Sequence, residues 1–257
     1  GLGMNFIDRL YEAKKECRPV ALCIVIETKG AVPRHAGSKM LVYSDGKSEG
    51  SVGGGELEVR TVEAALESLK DGRARIVKHS LIADDPDSVG VCGGNVEVYI
   101  EPQVTQPILL ILGAGHVGQS VAKFGQLLDF RVIVSDERAE YCTPEVIPGK
   151  VEFLPIPMAE IPKHLEINER VFVVCVTNGS NLDVEGLGPI LEASPAYVGC
   201  MGSKNRWAAT QKGLLERGVS PENIAKIKSP IGLYIKAETP DEIAISILAE
   251  VIERQKR

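Results

Sequence analysis

"ILLILGAGHVGQSVAKFGQLLDFRVIVSD", residues 108–136, is the stretch whose reading decides the fold. Its first five residues are an unbroken apolar run and read as a buried strand. Gly113-Ala114-Gly115-His116-Val117-Gly118 then matches GxGxxG and opens a helical pattern. A second apolar run, 131–135, ends in Asp136, about 20 residues past the glycines. Strand, glycine turn, helix, strand and acid in that order form the fingerprint of a dinucleotide-binding unit, and each glycine has its own task. Gly113 permits a tight turn, Gly115 lets backbone approach a pyrophosphate, and Gly118 lets the helix pack close to the strand. Free N–H groups and the positive end of the helix dipole suit phosphates. Asp136 is placed to accept from a ribose 2′-hydroxyl and to repel a 2′-phosphate. His116 either touches a phosphate or caps the helix, and Val117 stands in the same loop. The competing reading is a domain that keeps this fold and binds no nucleotide.

Downstream, the same grammar repeats. "VEFLP" (151–155), "VFVVCVT" (171–177) and "AYVGCM" (196–201) read as three more strands. Strands alternating with helical segments predict a Rossmann-like, doubly wound parallel sheet. Ligands in such sheets bind at the carboxyl ends of the strands. Thr177 and Asn178 follow the fourth strand, and Ser203, Lys204 and Arg206 open a helix after the fifth. Lysine and serine there suit a phosphate or acidic ligand; the alternative is a solvated helix face. The final segment from Thr239 reads as a helix with a capping box through Glu242 and Pro240 in its first turn. Ile243, Ile247, Leu248 and Val251 form its apolar face.

Upstream, "EPQVTQP" (101–107) carries two prolines and no apolar periodicity, which predicts a domain boundary. The expected division is residues 4–101, a linker at 102–107, and 108–257. The first part reads as mixed α+β. Asn5 caps a helix over 5–16, a strand covers 20–28, and an Asp45-Gly46 turn joins a hairpin. A helix runs from Glu56 to about Lys70, with Val59, Val62, Leu66 and Leu69 expected on its apolar side, and strands follow at 73–80 and 95–102. Three glycine-bearing loops punctuate this part: "GAVPRHAGSKM" (30–40), "SVGGGELE" (51–58) and "SVGVCGGNVEV" (88–98). Arg34, His35, Glu56 and Cys92 stand among the glycines. Gly53, Gly54 and Gly55 before a helix suit an anion. Glu56 is either a chemical group or a first-turn acid favouring the helix dipole. Cys92, next to Gly93 and Gly94, is a candidate ligand for a soft metal or a nucleophile; the alternative is a small buried residue in a tight bulge.

Composition bounds the rest. The chain has 257 residues, 44% hydrophobic and 25% charged, with net charge −6. No basic run exceeds two residues, so binding driven by the charge of nucleic acid or membrane surfaces is not expected. No apolar run approaches the ~18 residues of a membrane span, and no signal peptide is expected. Six cysteines, at 17, 23, 92, 142, 175 and 200, form no CxxC pair, which fits a reducing compartment, the cytoplasm by default. Cys23 and Cys175 lie within apolar runs, where cysteine acts as a small hydrophobe.

Together, "GAVPRHAGSKM", "GSVGGGELE", "GVCGGNVEV", "LGAGHVG", "YVGCMGS" and "SPIGLYIKAETPDEIAISILAE" resemble the XdhC/CoxI family of xanthine dehydrogenase accessory factors. The resemblance runs over nearly the whole chain. It implies an N-terminal XdhC/CoxI domain and a C-terminal Rossmann domain. It implies a chaperone, not a turnover enzyme, that binds molybdenum cofactor, as molybdopterin or its dinucleotide form, assists its sulfuration and hands it to a molybdenum hydroxylase. A cysteine desulfurase as sulfur source and a homodimer are further expectations. In that setting Cys92 faces the molybdenum or its transferable sulfur, Arg34 and the glycine loops hold the pterin, and Gly113–Gly118 hold the phosphate tail. One departure is visible: the family usually has Thr-His after the fourth Rossmann strand, and this chain has Thr177-Asn178. Asn cannot titrate near neutral pH, which puts any proton-transfer or metal-ligand role there in doubt. Two rivals remain. An NAD-dependent oxidoreductase fits GxGxxG and Asp136, but no Tyr-Lys pair or His-carboxylate set for hydride transfer can be assembled. A nucleotide-sensing module explains the second domain and leaves Cys92 idle.

Overall fold

The computed structural model describes residues 5–16, 18–30, 35–81, 94–103 and 106–255. The chain divides into two compact units, Gly1–Thr105 and Gln106–Arg257.

The first unit opens with helix α1 (Phe6–Lys15), whose Asn5 side chain accepts from the Ile7 and Asp8 N–H groups. Five strands follow: β1 (Val20–Lys29), β2 (Lys39–Tyr43), β3 (Ser48–Gly50), β4 (Arg75–Leu81) and β5 (Gly94–Gln103). They form an antiparallel sheet in the order β3-β2-β1-β5-β4. The β2–β3 hairpin turns at Asp45-Gly46, with Gly46 at φ +83°. Strand β5 runs to Gln103, two residues into the stretch expected as linker. Helix α2 (Gly55–Asp71) covers one face of the sheet, over Ala21, Cys23, Val25, Met40, Val98 and Ile100. Phe6, Leu10 and Ala13 of α1 pack with Val20, Leu41 and Tyr43. The period-2 alternation of β1 divides its residues between these two clusters.

The buried stripe of α2 differs from the expected one. Leu57, Thr61, Ala65, Ser68 and Leu69 are buried, Val62 and Leu66 pack at the edge, and Val59 is 57% exposed. Two polar residues join the stripe because each finds a partner. Thr61 Oγ1 donates to the Leu57 carbonyl (2.7 Å) and Ser68 Oγ accepts from Arg75 (2.9 Å).

The second unit contains β6 (Ile108–Leu112), α3 (His116–Leu127), β7 (Arg131–Ser135), β8 (Val151–Leu154), α4 (Ile161–His164), β9 (Val171–Cys175), α5 (Ser180–Glu192), β10 (Tyr197–Cys200), α6 (Lys204–Glu216), α7 (Pro221–Ala225), β11 (Ile227–Lys228) and α8 (Pro240–Gln255). The strands are parallel and ordered β11-β10-β9-β6-β7-β8. Numbered within this unit, the order is 3-2-1-4-5-6 read from β8, the doubly wound Rossmann arrangement. Its strands alternate sides: Leu109, Ile111, Val132 and Val134 pack with Val121 of α3 and Ile247 of α8, while Leu110, Leu112, Ile133 and Val173 pack with Leu187 and Ile190 of α5. The capping box of α8 forms: Thr239 Oγ1 accepts from the Glu242 N–H (3.2 Å), and Glu242 accepts from the Thr239 N–H (3.3 Å). Among the described residues no helix is long and apolar enough to cross a membrane.

Candidate functional site

In a doubly wound sheet the crevice opens where the strand order reverses, here between β6 and β9. A cavity of about 540 Å³ lies there, lined by Gly113, Gly115, Asp136, Arg138, Thr177 and Asn178 among others. Ile156, Pro157, Met158 and Leu182 give it an apolar wall.

The three fingerprint glycines meet three different surroundings. Gly113 has φ +112°, and a Cβ there would lie 2.7 Å from the Val176 carbonyl oxygen. At Gly118 a Cβ would lie 1.9 Å from the Gly113 carbonyl oxygen, so only hydrogen allows α3 to approach β6 this closely. Gly115 has no atom within 4 Å of such a Cβ. Packing therefore demands glycine at 113 and 118, and leaves open space at 115. Gly115 is also the N-cap of α3 and no side chain caps that helix end. The first N–H groups of α3 thus lack the capping acceptor that most helices provide.

Asp136 is more occupied than the sequence suggested. Its carboxylate accepts from the Ala114 N–H (2.9 Å), the Arg138 N–H (2.9 Å), Arg138 Nε (3.0 Å) and Arg138 Nη2 (2.8 Å). Burial opposes the charge, but the Arg138 guanidinium and the two N–H groups outweigh it and hold the carboxyl below its usual pKa. The Arg138 guanidinium also lies over the Tyr141 ring, 4.2 Å from its centroid. All four acceptor positions of Asp136 are filled by the chain itself.

At the carboxyl end of β9 a second network is fully internal. Asp183, 1% exposed, accepts from Thr177 Oγ1 (2.5 Å), Cys175 Sγ (3.1 Å) and Arg206 Nη2 (3.0 Å). The same Arg206 nitrogen donates to Thr177 Oγ1 (2.9 Å). Arg206 is therefore neither a solvated helix face nor a free anion ligand, because a buried aspartate turns it inward. Ser203 caps α6 by accepting from the Arg206 N–H (3.2 Å), and Lys204 is exposed. Neither Ser203 nor Lys204 lines the cavity. His116 does not line it either, but lines a separate cleft with Ser120 and Lys123. Val117 packs against the core.

In the first unit, Gly53, Gly54 and Gly55 all have positive φ (+136°, +79° and +60°), so the turn needs glycine for its backbone. Its N–H groups already have an anion. Glu58 accepts from the Gly54 N–H (3.0 Å) and from the Ser51 hydroxyl. Burial works against its charge, but those bonds prevail and its pKa is lowered. Glu56, the acid singled out in the sequence, is exposed. An acid four residues after the helix's N-cap, Gly54, was the signal for Glu58. The strand pairing Lys29↔Asn95, Ile24↔Lys39, Met40↔Gly50 and Leu81↔Gly94 puts the flanks of all three glycine loops at one end of the sheet. Gly94 begins β5 there and is buried. Arg34, Cys92 and Gly93 lie outside the described residues.

Three described thiols are poor nucleophiles. Burial pushes Cys23 up to about 12 and also raises Cys142. The hydrogen bond with Cys200, its register neighbour on β10, and then burial raise Cys175. No group of three His, Cys, Asp or Glu among the described residues could hold a metal.

Residues 109–251 match the XdhC Rossmann domain, and residues 13–80 match the XdhC and CoxI family. The chain is 33% identical over 252 residues to the uncharacterized protein YqeB of Escherichia coli (97% of this chain, 46% of the relative). It is 31% identical over 158 residues to a probable xanthine dehydrogenase subunit of Bacillus subtilis (62% and 45%). Against the molybdenum cofactor insertion chaperone PaoD of E. coli the identity is 24% over 278 residues (93% and 85%). The chain spans about half the length of the first two of these relatives. The Rossmann match alone covers more than half of the chain and falls on the six-stranded parallel unit, while the second match falls on the antiparallel one: the chain belongs to the XdhC and CoxI family.

Proposed function

We propose that this protein is an accessory factor that binds molybdenum cofactor and delivers it to a molybdenum hydroxylase of the xanthine dehydrogenase type. The observation that carries the reading is the open backbone at Gly115, set in a cavity of about 540 Å³ within a Rossmann unit of this family. A phosphate tail, or the nucleotide of the dinucleotide form, fits the exposed N–H groups at the start of α3. A Cβ at 115 would enter that space. The names of two relatives, a cofactor insertion chaperone and a xanthine dehydrogenase subunit, support the cargo and the recipient. When bound, the cofactor supplies the molybdenum centre and its redox and sulfur chemistry.

The chain's own residues do the holding. Gly113, Gly115 and Asp136 bind the nucleotide end; a ribose hydroxyl takes one acceptor position of Asp136 from Arg138. Thr177 and Asn178 border the same cavity. In the first unit, Cys92 faces the metal or its transferable sulfur, with Arg34, Glu56, Gly53–Gly55, Gly93 and Gly94 around the pterin. The common sheet end for the three loop flanks supports treating them as one site. Assistance in sulfuration with a cysteine desulfurase, a homodimer, and work in the cytoplasm belong to the same proposal. NAD is the competing ligand for the Rossmann cavity, favoured by Asp136.

Two experiments test this. Asp136→Ala removes a charge-assisted acceptor and should weaken binding of the nucleotide-bearing ligand by about 1.5–3 kcal/mol. Calorimetry with the cofactor dinucleotide and with NAD reads which ligand suffers; unchanged affinity for both sinks the ribose assignment. Cys92→Ser, purified from a host that makes the cofactor, should lose molybdenum by elemental analysis and fail to activate a hydroxylase. Its nucleotide affinity should persist. A variant with full molybdenum content and a lowered melting temperature would instead make Cys92 a structural thiol.

A further inference from the structure

Thr177 lines the cavity just past β9, yet it is only 7% exposed. Its hydroxyl has one proton and two lone pairs. The proton goes to Asp183 Oδ1 at 2.5 Å, since a carboxylate paired with Arg206 can only accept. The Gly179 carbonyl, at 3.4 Å, is a weaker acceptor for the same proton. Arg206 Nη2, at 2.9 Å, fills one lone pair. Neither partner can exchange roles: Asp183 is 1% exposed and also accepts from Cys175, and a guanidinium has no acceptor. One lone pair remains, and it is the only valence of this hydroxyl that the chain leaves unmet.

The sheet order says which part of a ligand meets it. Strand β6 lies between β7 and β9. Asp136 follows β7, the glycine loop follows β6 and Thr177 lies just past β9. Asp136 and Thr177 therefore stand on opposite sides of the loop, two strand spacings or roughly 10 Å apart. A ligand with its ribose at Asp136 and its phosphates at Gly115 carries its next group over the end of β9. Leu182 of α5, and Met158 packed on Gly186 of the same helix, give that side an apolar wall.

We propose that Thr177 sets the ligand specificity of this cavity: the group beyond the phosphates is an N–H or O–H donor, a ring N–H or a sugar hydroxyl, and a further anion is rejected there. The inference rests on the nucleotide reading of the cavity. A phosphate at this place would bring lone pairs against a lone pair and leave both unmet. Arg206 does not rescue it, because its charge is paired with Asp183 and it does not line the cavity. Asp183 and Arg206 are positioning residues, which fix the direction of the Thr177 proton from behind the cavity wall.

Two ligand series test this on the full chain, each sharing a nucleoside diphosphate: ADP-ribose against ATP, and CDP-glucose against CTP. In the series that binds, calorimetry should find the sugar nucleotide at least about fivefold tighter than the triphosphate, the scale of one neutral hydrogen bond. Thr177→Val should remove that advantage and leave the triphosphate, which does not use the hydroxyl, within about twofold. Thr177→Ser, which keeps the hydroxyl, should retain most of it. The cofactor's cytosine dinucleotide carries a pterin in place of the sugar. Weaker binding of that dinucleotide to Thr177→Val makes the donor a ring N–H, and weaker binding of the sugar nucleotide makes it a hydroxyl; either supports the proposal. A triphosphate that binds the unaltered chain as tightly as the sugar nucleotide overturns it and leaves the nucleotide reading intact. Equal loss of both ligands in Thr177→Val also overturns it, and makes Thr177 a structural residue. No saturable binding of any of these ligands removes the nucleotide reading itself, and this inference with it.

Discussion

Gly118→Ala should destabilise the C-terminal unit by about 3 kcal/mol or more, whereas Gly115→Val should cost no more than about 1 kcal/mol and abolish nucleotide binding. One motif thus yields opposite outcomes three residues apart. At 118 the added carbon meets the Gly113 carbonyl oxygen at 1.9 Å. That carbonyl cannot yield, because Gly113 is itself held against the Val176 backbone in a conformation open to glycine. Helix α3 must move off β6, and the Val121 contacts go with it. Thermal denaturation should report a fall on the order of 10 °C. At 115 the backbone is extended (φ −72°) and no atom lies within 4 Å of an added Cβ, so the free protein has open space where the side chain begins. It fills only the space a phosphate would enter. Calorimetry should show at least about a hundredfold loss, the equivalent of two or more charge-assisted hydrogen bonds. If Gly115→Val folds and still binds, the phosphate lies elsewhere. If Gly118→Ala melts with the unaltered chain, the turn is looser than its geometry.

Asp183→Ala should cost about 3–5 kcal/mol, the scale for breaking a buried ion pair. The aspartate takes hydrogen bonds from Thr177, Cys175 and Arg206, and its loss leaves the guanidinium charged with Thr177 Oγ1 as its remaining side-chain partner. Arg206 Nε is already buried without a hydrogen bond, which leaves the cation little reserve. Removing both charges should cost less than removing one: Asp183→Leu combined with Arg206→Met should recover more than half of the loss. Urea denaturation of the two single variants and the double variant gives the coupling directly. Single losses below about 1 kcal/mol would place the pair in the regime of exposed salt bridges. Because Thr177 borders the cavity, the singles should also weaken nucleotide binding.

Much of the fold was legible in the chain. Continuous apolar runs marked β6, β7 and β9, and the glycine spacing marked the turn into α3, since each is a local property of consecutive residues. The capping box of α8 was legible for the same reason. Strand β11 was not: two residues, Ile227 and Lys228, carry no period, and they form a strand because β10 offers a free edge. The face of α2 was misread because Thr61 and Ser68 count as polar in any pattern, yet are buried once a carbonyl and an arginine satisfy them.

The site divides the same way. Glycines 113, 115 and 118 and Asp136 follow from spacing, because the motif fixes the path of a short backbone segment. That Asp136 is already saturated by Arg138 and the Ala114 N–H, that Glu58 and not Glu56 serves the triple-glycine turn, and that Arg206 points inward to Asp183 are facts about partners. Asp183 and Arg206 lie 23 residues apart and meet through the packing of α5 on α6. Sequence by itself determined where the glycine loops turn the backbone and where the longer strands and helices run, because steric limits and hydrophobic period act within a few residues. Only the tertiary structure decided which charges are spent on the fold and which stay free for a ligand, because that depends on which side chains from distant segments share the low dielectric of one interior.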